Sequence, residues 1–130
     1  MFLKFHTAEE RRRYGGSAFV EIQYCRLKQG TSIQKIISVD SISAWDISSI
    51  YIDFDDLDEF WNEYGGMFQN GVYNNGQEGP TDFYGINYYD LSNVHHLIRE
   101  LEIKKPKEYE ILLAWLKNGR DENGIYILGI

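Results

Sequence analysis

The sequence predicts an α+β domain, a mostly antiparallel sheet of about five strands packed with three to four helices. Three observations lead there. Stretches that alternate with a period of two (Ala18–Leu27, Ile47–Phe54) coexist with stripes at helical spacing (Leu57 to Tyr64, Leu91 to Leu101, Tyr109 to Leu116). Their order, α-β-β-β-α-loop-β-α-α-β, lacks the regular strand–helix alternation of a doubly wound parallel sheet. The chain has 130 residues, 43% of them hydrophobic and 15% aromatic, enough for one real core, so residues 1–130 are expected to form a single domain.

Met1–Phe5 is too short to assign. Thr7-Ala8-Glu9-Glu10 has the form of a capping box, with the Thr7 hydroxyl on the N3 amide and Glu10 reaching back. A short helix to Tyr14 follows and stops at Gly15-Gly16. Arg11-Arg12-Arg13 beside two glutamates reads as a solvated helix face rather than a nucleic-acid patch, because the overall charge opposes nucleic acid. In the strand Ala18–Leu27, Phe19, Glu21, Gln23 and Cys25 share one face, and Val20, Ile22 and Tyr24 the other. Gln29-Gly30 signals a turn, and the Ile- and Val-rich Ser32–Val39 is expected to complete a hairpin. Ser41–Trp45 is ambiguous.

Ile47–Gly66 is the stretch around which the chain is organised. Ile50, Ile52 and Phe54 alternate with polar residues as a half-buried strand does. The period then changes: Leu57, Phe60, Trp61 and Tyr64 fall on one helical stripe. Asp53 or Asp55 suits the N-cap, and carboxylates crowd the first turns, where the helix dipole favours negative charge. Gly65-Gly66 is expected to end the helix through a left-handed residue. This stretch shows solvent six carboxylates, Asp53, Asp55, Asp56, Asp58, Glu59 and Glu63, with no base beside them.

Met67–Asp82 carries three turn signals and reads as a long loop, with Val72-Tyr73 in one arm of a possible short hairpin. Asp82–Tyr89 is strand-like, with Gly85 marking a bulge or a close approach. Asp90 or Ser92 caps a helix whose stripe is Leu91, Val94, Leu97, Ile98 and Leu101. Pro106 suits the first position of the next helix, Lys107–Lys117, which ends at Asn118-Gly119. Gly124–Ile130 is apolar almost throughout and reads as a buried central strand.

Charge is unevenly distributed. The net charge is −7, and no Lys or Arg occurs between Ile36 and Ile98, a tract that holds eleven acids. Such a tract projects a negative field, which attracts basic partners and repels nucleic acid. One cysteine, Cys25, excludes an intramolecular disulfide and suits a reducing compartment. MFLKFHTAEERRR lacks the apolar core of a secretory signal, and no window approaches a membrane span of roughly 20 apolar residues. A cytoplasmic protein is expected, with no membrane partner.

Few residues invite chemistry. His95 and His96 are neighbours on a helix and point about 100° apart, so they cannot share a metal; one is expected to be partly buried and the other exposed. Cys25 reads as a small buried hydrophobe. The cluster Asp53 to Glu59 fails the calcium-loop pattern, with Leu57 at position five and no glycine at its centre. No phosphate-binding loop, nucleophile elbow or zinc pattern is present. No catalytic residue, metal site or cofactor is therefore expected, and a binding face remains. Acids interleaved with Tyr and Trp suit a basic partner. Of the aromatics, Phe54, Phe60 and Trp61 are assigned to the core by periodicity. Tyr51, Tyr64, Tyr73, Tyr84, Tyr88 and Tyr89 are candidates for the rim. The partner-binding set is Asp53, Asp55, Asp56, Asp58, Glu59, Glu63, Tyr73, Glu78, Asp82 and Tyr84.

DFDDLDEFWNEYG, FYGINYYD with the helix after it, and the closing GIYILGI are similar to bacterial contact-dependent growth inhibition immunity proteins, particularly those paired with ribonuclease toxins. The resemblance covers roughly residues 45–130. It implies a protein that is not an enzyme, binds one cognate toxin domain 1:1 as a monomer, and occludes its active site. A ribonuclease site is basic because its substrate is a polyanion, so an acidic inhibitor competes for the same surface. Two other readings stay open: a small metal-dependent enzyme using the Asp53–Glu59 carboxylates, and an acidic regulator from a phage or mobile element.

Overall fold

Apolar residues on both faces of the central strands require a cover on each side of the sheet, and that requirement organises the molecule. The structure is a computed structural model that describes residues 1–15 and 19–129. Gly16 and Ala18, expected as part of a helix stop and as a strand start, lie outside the described residues. In chain order the elements are β1 (Phe2–Leu3), α1 (Ala8–Gly15), β2 (Phe19–Tyr24), α2 (Ile33–Ile36), β3 (Ile50–Asp53), α3 (Leu57–Tyr64), β4 (Gly71–Tyr73), β5 (Glu78–Gly79), β6 (Ile86–Tyr89), α4 (Leu91–Lys104), α5 (Tyr109–Asn118) and β7 (Ile125–Leu128). One sheet of seven strands runs in the order β1-β3-β2-β7-β6-β4-β5, every neighbour antiparallel.

The α+β class is as expected, with more strands than foreseen. The additional strands are β1 and β5, with two residues each, and β4, with three, all too short to carry a period. β7 lies at the centre between β2 and β6, as its unbroken apolar run implied. The short hairpin around Val72-Tyr73 forms as β4–β5, closed by Tyr73 N donating to Gln77 O at 2.8 Å.

One face of the sheet is covered by α3, α4 and α5. Val20, Ile22, Ile50, Ile52, Ile125 and Ile127 meet Phe60, Tyr64, Val94, Leu97, Leu101, Leu112 and Leu116 in the main core. Asp90 caps α4 by accepting from Asn93 N at 2.8 Å. Helix α5 begins at Tyr109, later than expected. Pro106 is instead buried in the turn before it, where Lys105 and Glu108 take left-handed conformations and Tyr109 N donates to Pro106 O.

The other face overturns several expectations. Ser32–Val39 is no strand and makes no hairpin. Ser32 and Ser38 accept from Lys35 N and Asp40 N, and these two caps nucleate the single turn α2 and a 3-10 turn at Val39–Ser41. Ile36 and Ile37 are thereby buried against Cys25, Tyr88 and Tyr126. The segment 27–47 becomes a strap across this face. Beneath its far end, Phe5, Phe19 and Tyr51 form a small aromatic cluster.

As rim candidates Tyr51, Tyr64, Tyr88 and Tyr89 are therefore wrong: all four are buried. Alternation in β3 and β6 marks two buried faces, not one buried and one wet. Polar groups between the two apolar patches hold the strap. The buried Gln23 side chain donates to Ser43 O and accepts from Ser43 N, both at 3.0 Å. Arg11 also differs from its expected solvated place: it donates to Ala44 O at 3.1 Å, pairs with Glu21 at 3.4 Å and lies over the Trp45 ring.

Candidate functional site

Helix α3 starts where β3 ends, and the joint decides the site. Asp53 caps a 3-10 turn at Phe54–Asp56 by accepting from Asp55 N at 2.9 Å. The chain therefore leaves the sheet one residue earlier than the alternation implied. Phe54, assigned to the core, is 52% exposed as a result. The α3 stripe divides in two: Phe60 and Tyr64 are buried, while Leu57 and Trp61 are half-buried at its edge. The half-buried pair faces an open groove of about 430 Å³ lined by Phe54, Leu57, Asp58, Trp61, Thr81, Phe83 and Tyr84.

Both walls are built. Trp61 makes an edge-to-face contact with Phe83, centroids 5.6 Å apart. Gly65 was expected to end α3 in the left-handed region, but its φ is −55°. Its role is space: a Cβ there would lie 2.8 Å from the Trp61 ring. The opposite wall is the turn 82–85. Buried Asn87 holds it, with Nδ2 donating to Asp82 O at 2.7 Å and Ile127 O at 3.0 Å, and Oδ1 accepting from Asp82 N at 2.7 Å. Gly129 N donates to Gly85 O at 2.8 Å, and a Cβ on Gly129 would meet Phe83 O at 2.5 Å. Gly85 thus marks the close approach foreseen for it. At the groove floor Thr81 is bonded to Phe68 O and to the Tyr89 hydroxyl, whose pKa burial pushes up to about 12.

The predicted set separates into three groups. Asp58 and Tyr84, 77% exposed, line the groove, and Asp55 and Asp56 sit in the turn leading into it. Asp82 belongs to the groove wall, but its carboxylate folds back to accept from Tyr84 N at 2.9 Å. A second group is engaged elsewhere, against the expectation of six carboxylates without a base. Lys107, brought from the far end of the chain, pairs with Glu59 at 2.5 Å, and its backbone N donates to Glu63 at 3.2 Å. Glu59 in turn holds the Lys107 ammonium pKa above its usual value. Asp53 accepts from the Tyr14 hydroxyl at 2.6 Å; that bond and the Asp55 N–H hold its carboxyl below the usual range. The third group, Tyr73 and Glu78, lies on the β4–β5 hairpin outside the groove lining, with the Tyr73 hydroxyl on Pro80 O.

Sequence reasoning missed Phe54, Leu57, Trp61, Thr81 and Phe83 as groove residues. For Phe54 a signal existed: an Asp53 cap ends the strand at that residue. For Phe83, Asn87 and Gly129 there was none, since their meeting depends on the sheet register.

Among the described residues, no group of three or more His, Cys, Asp or Glu side chains is placed to hold a metal ion. His95 and His96 are both exposed, so the expectation of one partly buried histidine fails. Cys25 is buried and donates to the Tyr126 hydroxyl at 3.4 Å. No helix among the described residues is long and apolar enough to cross a membrane. Compared with known proteins, the chain matches no family, no curated protein and no solved structure.

Proposed function

We propose that this chain is a cytoplasmic immunity-type inhibitor that binds one basic toxin domain, a nuclease, 1:1 and covers its active site. The observation that supports this reading is the groove itself. Aromatic side chains stand exposed beside Asp55, Asp56 and Asp58, three carboxylates that enter no ion pair among the described residues. Free carboxylates raise the rate of encounter with a basic surface and select it, and desolvated aromatics slow dissociation. Glu59 and Glu63 act differently, tying α3 to the α4–α5 turn through Lys107.

The test pairs this protein with a basic nuclease domain encoded beside it and follows RNA cleavage and complex mass. A 1:1 complex without cleavage is expected. The triple variant Asp55→Lys, Asp56→Lys, Asp58→Lys should weaken inhibition by at least about tenfold, mostly through slower association. Its thermal midpoint should fall by several degrees, because three lysines oppose the dipole at the start of α3, while unfolding stays cooperative. Full inhibition by the triple variant removes the groove from the interface. Failure of every such nuclease domain to bind removes the immunity reading.

A further inference from the structure

The groove has a chemical preference sharper than a general attraction to basic proteins. Its lining offers flat apolar faces from Phe54, Trp61, Phe83 and Tyr84, and a single carboxylate, Asp58. A second hollow of about 370 Å³ on the other side of Tyr84 is lined by Val39, Ile42, Ile86 and Leu128, with no charged side chain. Only the first hollow combines ring faces with a negative charge.

That combination discriminates among cations. A lysine ammonium is a compact, strongly hydrated point charge, and it loses water on entering an aromatic slot. A guanidinium is planar and more weakly hydrated. It can lie against a ring while its edge donates two hydrogen bonds to a carboxylate. An anionic group would be repelled by the Asp58 carboxylate in the lining. The walls are also set in advance, one by Trp61 against Gly65 and the other by Asn87 and Gly129 on the turn 82–85, so an incoming side chain orders little.

We infer that this groove receives an arginine side chain of the partner, held between Trp61 and Phe54 on the α3 side and Tyr84 on the facing wall, with its guanidinium edge on Asp58. The inference rests on the reading above that the partner is a basic protein, and it names the group by which that protein is held.

The experiment titrates the intact chain with three blocked tripeptides, acetyl-Gly-Arg-Gly-amide and its lysine and citrulline counterparts, and follows the Trp61 indole and Tyr84 amide by NMR. Saturable shifts with the arginine peptide are expected, about fivefold tighter than with lysine. Citrulline has nearly the arginine shape without its charge and should bind more weakly than arginine. Asp58→Asn and Tyr84→Ala should each reduce arginine binding without moving the thermal midpoint, since both side chains are exposed. Equal affinity for arginine and lysine, shifts confined to other surfaces, or no binding of any peptide would overturn the inference. The two proposals fail separately. A nuclease complex indifferent to Asp58→Asn and Tyr84→Ala keeps the immunity reading and removes the arginine anchor. Arginine-selective binding with no nuclease partner does the reverse.

Discussion

The two faces of the sheet are covered in different ways. Over one, α3, α4 and α5 lay down apolar stripes, and Phe60, Leu97, Leu101, Leu112 and Leu116 are excluded from water together with the isoleucines beneath them. Over the other, the strap 27–47 contributes only Ile36 and Ile37 as fully buried apolar residues, and it is fastened by polar groups at several points. Gln23 holds Ser43 through both backbone groups, Arg11 reaches Ala44 O, and Arg26 bridges Asp46 at 3.0 Å and Glu122 at 2.6 Å. Apolar burial is non-directional and grows with area, so the helical cover resists loss of any one polar contact. The strap depends on satisfying particular donors and acceptors, and it should open locally before the sheet unfolds.

The largest loss of stability is expected on the helical side. Phe60 is fully buried among Phe2, Tyr64, Phe68 and Phe83. Phe60→Ala should cost about 3–5 kcal/mol in urea-monitored unfolding, through lost burial and the cavity left behind. Next comes Gln23→Leu, which leaves the strap's Ser43 N–H and C=O without their partner on β2. A cost of about 1–3 kcal/mol is expected, with faster hydrogen exchange concentrated in residues 42–49 and little change in β2 and β7. If Gln23→Leu lowers stability as much as Phe60→Ala, the two faces are one cooperative unit and the contrast is lost.

A smaller effect is a pH dependence confined to the strap. Burial pushes the Asp46 carboxyl up, but the Arg26 hydrogen bond and the Ser48 N–H outweigh it and hold the carboxyl below the usual carboxylate range. A carboxyl depressed in the folded state contributes stability above its unfolded pKa of about 4, and that contribution is lost as pH falls through the folded value. Amide protection near Ser48, taken relative to the unstructured exchange rate at each pH, should therefore fall on acidification below about pH 4, and Asp46→Asn should lower it at neutral pH and remove that extra acid response. Smallest of all is Lys107→Met. It removes an exposed pair with Glu59, and its urea midpoint should be indistinguishable from the parent's. A clear drop would show that the α3 carboxylates divide into structural and free sets more strongly than exposed charges usually do.

How much was legible follows the same division. The α3, α4 and α5 stripes, the Asp90 cap and the central place of Gly124–Ile130 were readable because each depends on neighbours three or four residues away or on an unbroken run. Ser32–Val39 misled because β-branched residues resemble a strand in composition. Two serine caps, worth as much locally as a strand's propensity, closed turns there instead. Tyr51 and Tyr88 misled because alternation reports that two faces differ, not that one of them is wet. At the candidate site, Asp58 and Tyr84 were found by charge and composition. The groove they share with Trp61 and Phe83 was not.

By itself the sequence determined the α+β class, the acidic tract without a base and the identity of helices α3, α4 and α5. These are properties of composition and of short-range period, and they survive whatever the chain does elsewhere. Tertiary structure alone decided which carboxylates stay free. Lys107 neutralises Glu59 across 48 positions of sequence, whereas Asp55, Asp56 and Asp58 meet no base among the described residues. It also decided that Asn87 and Gly129 would hold Phe83 and Tyr84 against α3. The first outcome depends on how the α4–α5 turn packs against α3 and the second on sheet register, and both are relations between distant segments that no local pattern encodes.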